Sequence, residues 1–76
     1  MNKFVYEDNK QLKNEFKKLV IDNNTTMTDV ANKCDMIPQQ LNNRFNNARF
    51  AFTDLKKYLG VLGYDLQIEF IKKDIE

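Results

Sequence analysis

Ile37-Pro38-Gln39-Gln40-Leu41-Asn42-Asn43-Arg44-Phe45-Asn46-Asn47 is the stretch on which the reading of this chain turns. Leu41 and Phe45 stand one helical turn apart and draw a narrow apolar stripe. Pro38 suits the first position of a helix, where a backbone N–H has no intrahelical partner to lose. Nearly every other side chain is a carboxamide: Gln39, Gln40, Asn42, Asn43, Asn46 and Asn47. Asparagine is a mediocre helix former, because its side chain competes for the backbone's hydrogen bonds. A helix built for stability alone carries Glu, Lys or Ala on its wet side. Carboxamides both donate and accept, and they pair bidentately with the N6/N7 edge of adenine in the DNA major groove. The stretch therefore reads as a short helix that either addresses DNA or is simply a polar surface in an Asn-rich chain. The helix alone does not separate the two.

The residues before it predict two more helices. Leu12, Phe16, Leu19 and Val20 repeat at i, i+4, i+7 and i+8, the pattern of one buried face, and place a first helix over residues 8–22. Asp8 or Asn9 caps its start, and Asn23-Asn24 ends it. Lys10, Lys13, Lys17 and Lys18 fall off that apolar face, as solvated lysines usually do. Thr26 caps a second helix, with Asp29 answering it three residues later as a variant capping box. Val30, Ala31 and Cys34 then face inward, and the small Ala31 admits a close helix neighbour. Cys34 reads as a small buried hydrophobe. Asp35-Met36-Ile37 leaves three residues before Pro38, a tight corner between helices. Asp35 is the residue there that tolerates the left-handed conformation, and Met36 plugs the corner.

After it comes a loop, Asn46 to Phe50, then Thr53 as the cap of a fourth helix over Asp54 to Leu62. Leu55, Tyr58, Leu59 and Leu62 point inward, and Gly63 is a natural residue just past the end. Tyr64-Asp65-Leu66-Gln67-Ile68-Glu69-Phe70-Ile71 alternates apolar and polar with period two until Ile71, the signature of a half-buried strand. A strand needs partners for its backbone groups. Phe4-Val5-Tyr6, an arm or a short strand within residues 1–7, is the sole other candidate. The strand is therefore expected to pair with its own copy in a second subunit, through Tyr64, Leu66, Ile68 and Phe70.

Composition bounds the rest. At 76 residues the chain is a single domain, 1–76, with room for only a small core. One cysteine rules out an internal disulfide and points to a reducing, intracellular setting. With no histidine beside it, a zinc site is not expected. The absence of both serine and histidine removes Ser–His and Cys–His nucleophile pairs, and no glycine-rich phosphate loop occurs, so no enzyme is expected. No cofactor and no small-molecule ligand are expected, and no apolar run is long enough to cross a membrane. Net charge is only +1, but residues 10–57 hold nine basic and five acidic side chains, while both ends are acidic on balance. A basic middle around an amide-rich helix suits contact with phosphates.

The order of elements, with the tight corner between the second and third helices, resembles the Cro and phage-repressor family of helix-turn-helix proteins. The matching residues are Val30 and Ala31 in the second helix, Met36 in the turn, and Pro38, Gln39 and Leu41 in the third. Phe50-Ala51-Phe52-Thr53-Asp54-Leu55, then Leu59, Gly63 and Tyr64, are similar to small phage and bacterial members. The resemblance covers residues 9–63. Two departures stand out: Asp35 occupies a turn position where the family usually has Gly, and Ile37 one where it often has a polar cap.

The resemblance implies a mainly α, four-helix domain, with residues 8–63 as the helical core and 64–71 as a dimerisation strand. It implies a homodimeric repressor in the cytoplasm of a bacterial host, acting by occupying double-stranded DNA. Gln39, Asn42, Asn43 and Asn46 would then face base edges, and Thr28, Gln40, Asn47 and Arg49 would lie near phosphates. Arg44 would join the phosphate contacts, reach a base, or fold back on the surface. The expected operator is an inverted repeat with A·T-containing half-sites about one helical turn apart. The rival reading is a helix-turn-helix domain recruited to bind protein, as an antitoxin or inhibitor.

Overall fold

The computed structural model describes residues 3–74. Four helices follow in order: α1 (Asn9–Asp22), α2 (Met27–Lys33), α3 (Pro38–Arg44) and α4 (Phe52–Val61). The start of each is set by a local hydrogen bond. Asp8 Oδ1 accepts the Gln11 N–H at 2.8 Å, so Asp8 is the cap of α1. Thr26 Oγ1 accepts the Asp29 N–H at 3.1 Å and caps α2. The carboxylate of Asp29 does not complete the expected box on Thr26. It accepts instead from the hydroxyl of Thr25 at 3.2 Å.

Three of the helix ends share one device. Asn24, Asp35 and Gly63 have φ of 56°, 57° and 83°, the left-handed conformation just past α1, α2 and α4. Each time the next residue's N–H reaches back across the last turn: Thr25 to Val20 O at 3.2 Å, Met36 to Ala31 O at 2.9 Å, Tyr64 to Leu59 O at 2.9 Å. These are Schellman closures, which satisfy carbonyls that a helix end otherwise leaves unpaired. At the corner between α2 and α3, Asp35 therefore does the work expected of a glycine. Met36 is half-buried against the core, as the plug of that corner.

The core gathers Phe16 and Val20 of α1, Val30 and Ala31 of α2, Cys34, Leu41 and Phe45 from the α3 segment, and Leu55 and Tyr58 of α4. Leu41, Phe45 and Ala31 show no exposed surface at all. Phe45 is the hub of the aromatic packing, with ring centroids 5.4 Å from Phe16, 4.9 Å from Phe50 and 6.1 Å from Tyr58.

Two expectations need correction. Thr53 does not cap α4. The helix begins at Phe52, with Ala51 in the cap position and Asp54 Oδ2 accepting the Ala51 N–H at 3.1 Å. The carboxylate three residues on thus supplies what the missing cap side chain does not. Second, residues 64–71 form no strand in the single chain, and no strand occurs elsewhere among the described residues. A strand is made by its ladder, and the arm at residues 3–6 makes no backbone hydrogen bond to this tail. Leu66 turns back onto the core of its own chain, half-buried, while Tyr64, Ile68 and Phe70 are exposed.

Candidate nucleic-acid interface

Helix α3 is fixed from beneath and open above. Leu41 and Phe45 lock its underside into the core. Its start has no side-chain cap, since Ile37 holds the cap position; Gln40 Oε1 compensates by accepting the Ile37 N–H at 3.1 Å. The outward side carries Gln39, Gln40, Asn43 and Arg44, all exposed.

The amides divide into two groups by what they already bind. Gln39 and Asn43 make no side-chain hydrogen bond among the described residues, so their donors and acceptors are free to pair elsewhere. Asn42 is different from the expected reader: it is half-buried, and its Nδ2 donates to Pro38 O at 3.2 Å. Bonding back along the helix is the habit of a short polar side chain whose own turn offers a carbonyl. Asn46 lies in the turn after α3, which ends at Arg44, its N–H donating to Asn43 O at 3.0 Å. It is exposed, but it is not held by the helix.

The residues expected at phosphates lie on α2, on α3 and in the loop after α3. Thr28 is exposed in the first turn of α2, where backbone N–H groups and the helix dipole favour an anion. Asn47 and Arg49 are exposed in the loop after α3. Asn47 Oδ1 accepts the Arg49 N–H at 2.8 Å, an Asx-type turn that draws the chain out of helix and orients the loop. Gln40 keeps its NH₂ group free, its oxygen being taken by the cap.

Arg44, exposed at the end of α3, makes no side-chain hydrogen bond to a carboxylate or carbonyl among the described residues. Burial pushes the Tyr58 phenol above its ordinary value of 10.0, and the positive charge of Arg44 opposes that shift. Burial likewise pushes the Cys34 thiol above 9.0, with Lys57 opposing and Asp35 adding to the shift, as befits an inert core thiol.

Ile37 is the surface residue that sequence reasoning passed over. It is 57% exposed at the leading end of α3, next to Gln39. The signal was present, because Ile is among the least favoured residues at a helix cap.

Among the described residues there is no cluster of His, Cys, Asp and Glu that would hold a metal ion, and no helix long and apolar enough to cross a membrane. Comparison with protein-family models, with curated proteins and with solved structures finds no match for this chain.

Proposed function

We propose that this chain is a sequence-specific, double-stranded DNA-binding regulator of the Cro and phage-repressor kind. It acts as a homodimer through residues 64–71 and represses by occupying an inverted-repeat operator. The observation that carries the reading is the mounting of α3. Two fully buried side chains, Leu41 and Phe45, fix the helix in the core, and a tight corner through Asp35 sets its angle to α2. Its exposed side offers free carboxamides at Gln39 and Asn43. A rigid helix with amides outward matches the width of the major groove and the donor–acceptor pattern of adenine. Ile37 adds an exposed apolar group of the kind that packs on a thymine methyl. Thr28, Asn47 and Arg49 flank the helix as the phosphate contacts that set its register.

The test is selection of bound sequences from random duplex DNA, followed by affinity measurements on the winner as salt is raised. A dimer making about eight phosphate contacts loses about four decades of affinity between 50 and 200 mM salt. Failure to enrich any sequence, with a flat salt profile for any duplex, refutes the reading and leaves the protein-binding alternative.

A further inference from the structure

The arm from Lys3 to Tyr6 and the tail from Tyr64 to Ile71 both border one open groove, whose lining includes Leu12, Phe16, Leu55 and Leu59. The arm is fastened. Gln11 Nε2 donates to Val5 O at 3.0 Å, and Gln11 Oε1 accepts the Glu7 N–H at 2.7 Å. The tail is not. After the Tyr64 N–H, none of its backbone groups has a backbone partner among the described residues. Its apolar face is half-covered at Leu66 and then grows more exposed, to 52% at Ile68 and 96% at Phe70.

We propose that this tail pairs antiparallel with the tail of a second copy of the chain in one register, centred on Ile68. The inference rests on the dimer reading above and adds the register to it. A two-fold pair of antiparallel strands sets one residue opposite its own copy, and symmetry then fixes every other pairing. Charge and chain geometry select the centre. With Gln67 at the centre, Asp65 lies opposite Glu69 at both ends of the seam. With Glu69 there, that carboxylate faces itself. Like charges directly opposite destabilise a ladder.

Two further centres shorten or break the apolar pairing. At Leu66 the seam runs into Gly63 and the end of α4 three residues away. At Phe70, Ile68 meets Lys72 and Leu66 meets Asp74. Centred on Ile68, the isoleucine meets itself, Gln67 meets Glu69, Tyr64 meets Lys72, and Leu66 meets Phe70 at both ends. No like charges oppose each other. The most exposed aromatic of each copy lands on the leucine already seated at the other copy's core, and a slip by one residue would turn the apolar face outward.

The test is symmetric disulfide formation in the full chain carrying Cys34→Ala, since Cys34 is the only native thiol. Single cysteines are placed by Gln67→Cys, Ile68→Cys and Glu69→Cys, and mild oxidation is followed on a non-reducing gel. Ile68→Cys links to itself. An equal mixture of Gln67→Cys and Glu69→Cys gives the crossed dimer, which retains Ile68 and so is immune to any loss caused by its replacement. Neither of those two links efficiently to itself, because diagonal positions lie about 7–8 Å apart, beyond the span of a disulfide. Preferential self-linking of Gln67→Cys or Glu69→Cys in a protein that is still dimeric overturns the register alone. A wild-type chain that sediments as a monomer in the micromolar range overturns the register and the dimer reading together.

Discussion

Asn43→Ala separates a reading helix from one that is merely polar. Asn43 is exposed on α3, directly beside a neighbour whose amide is already spent on Pro38 O at 3.2 Å. Folding is not at stake, since Ala is a better helix former than Asn. One bidentate amide–adenine pair is worth about 1–3 kcal/mol of discrimination. A dimer presents two such pairs on half-sites far enough apart to add. The selected site should therefore lose about 2–6 kcal/mol, or roughly 30-fold to 20,000-fold in affinity at ~1.4 kcal/mol per decade. Non-specific binding rests on phosphates and should hardly change. Asn42→Ala gives the contrast, because its amide is turned back on its own helix: the expected loss is about 0.5 kcal/mol or less. Fluorescence anisotropy of the wild type and both variants on selected and scrambled duplexes, at one salt concentration, measures all six affinities. Equal loss on both duplexes, loss on neither, or a larger effect from Asn42→Ala refutes the assignment of α3 as the reader.

Ile68→Pro removes a ladder donor from the tail and should convert dimer to monomer in sedimentation, with the helical circular dichroism unchanged. Asp35→Ala puts a Cβ without polar compensation at φ 57° and should destabilise the fold by about 1 kcal/mol in urea titration, whereas Asp35→Gly should not. Stability should be level through neutral pH and fall in alkali. Cys34 and Tyr58 are acids whose folded pKa lies above the ordinary 9.0 and 10.0, so the folded state holds its protons longer than the unfolded chain does. Their contribution is complete below the unfolded value and is lost as pH rises through the folded one. Urea midpoints measured from pH 7 to 11 check this, and Cys34→Ala should delay the onset of the fall.

The helices were legible because their signals are local and redundant. Phe16, Leu19 and Val20 repeat on one face, Asp8 and Thr26 are good caps, and Gly63 and Asp35 announce chain reversals. The underside of α3 was legible from Leu41 and Phe45 alone. What escaped depends on competition between equally plausible partners. Thr53 is a better cap by type than Ala51, yet Asp54 can reach back to Ala51 N–H, which lets α4 begin earlier. Asn42 and Asn43 are identical in type and adjacent in sequence. Their different fates follow from rotation about the helix, which puts one half in the protein and leaves the other in solvent. Asn46, at the start of the expected loop, lies in the turn that follows Arg44, so its position is not set by the periodicity of α3. Phe50 looked like loop, and only the assembled fold packs it against Phe45 and Tyr58.

The tail is a different kind of case. Period-two alternation reports which side of a segment is apolar; it says nothing about where the hydrogen bonds come from. In the isolated chain Leu66 obeys the pattern and turns inward, but the arm, the other candidate for a ladder, is held by Gln11, and the tail's backbone beyond Tyr64 has no backbone partner among the described residues. A segment whose apolar face ends in a phenylalanine 96% exposed is costly in water, and its open backbone edge is a template for pairing. In the proposed dimer, pairing with an identical segment whose charges do not collide would cover that face and use that edge. In the DNA-binding reading that same event sets the spacing of the two α3 helices, so a single stretch would govern both the stability of the assembly and the half-site spacing it can recognise.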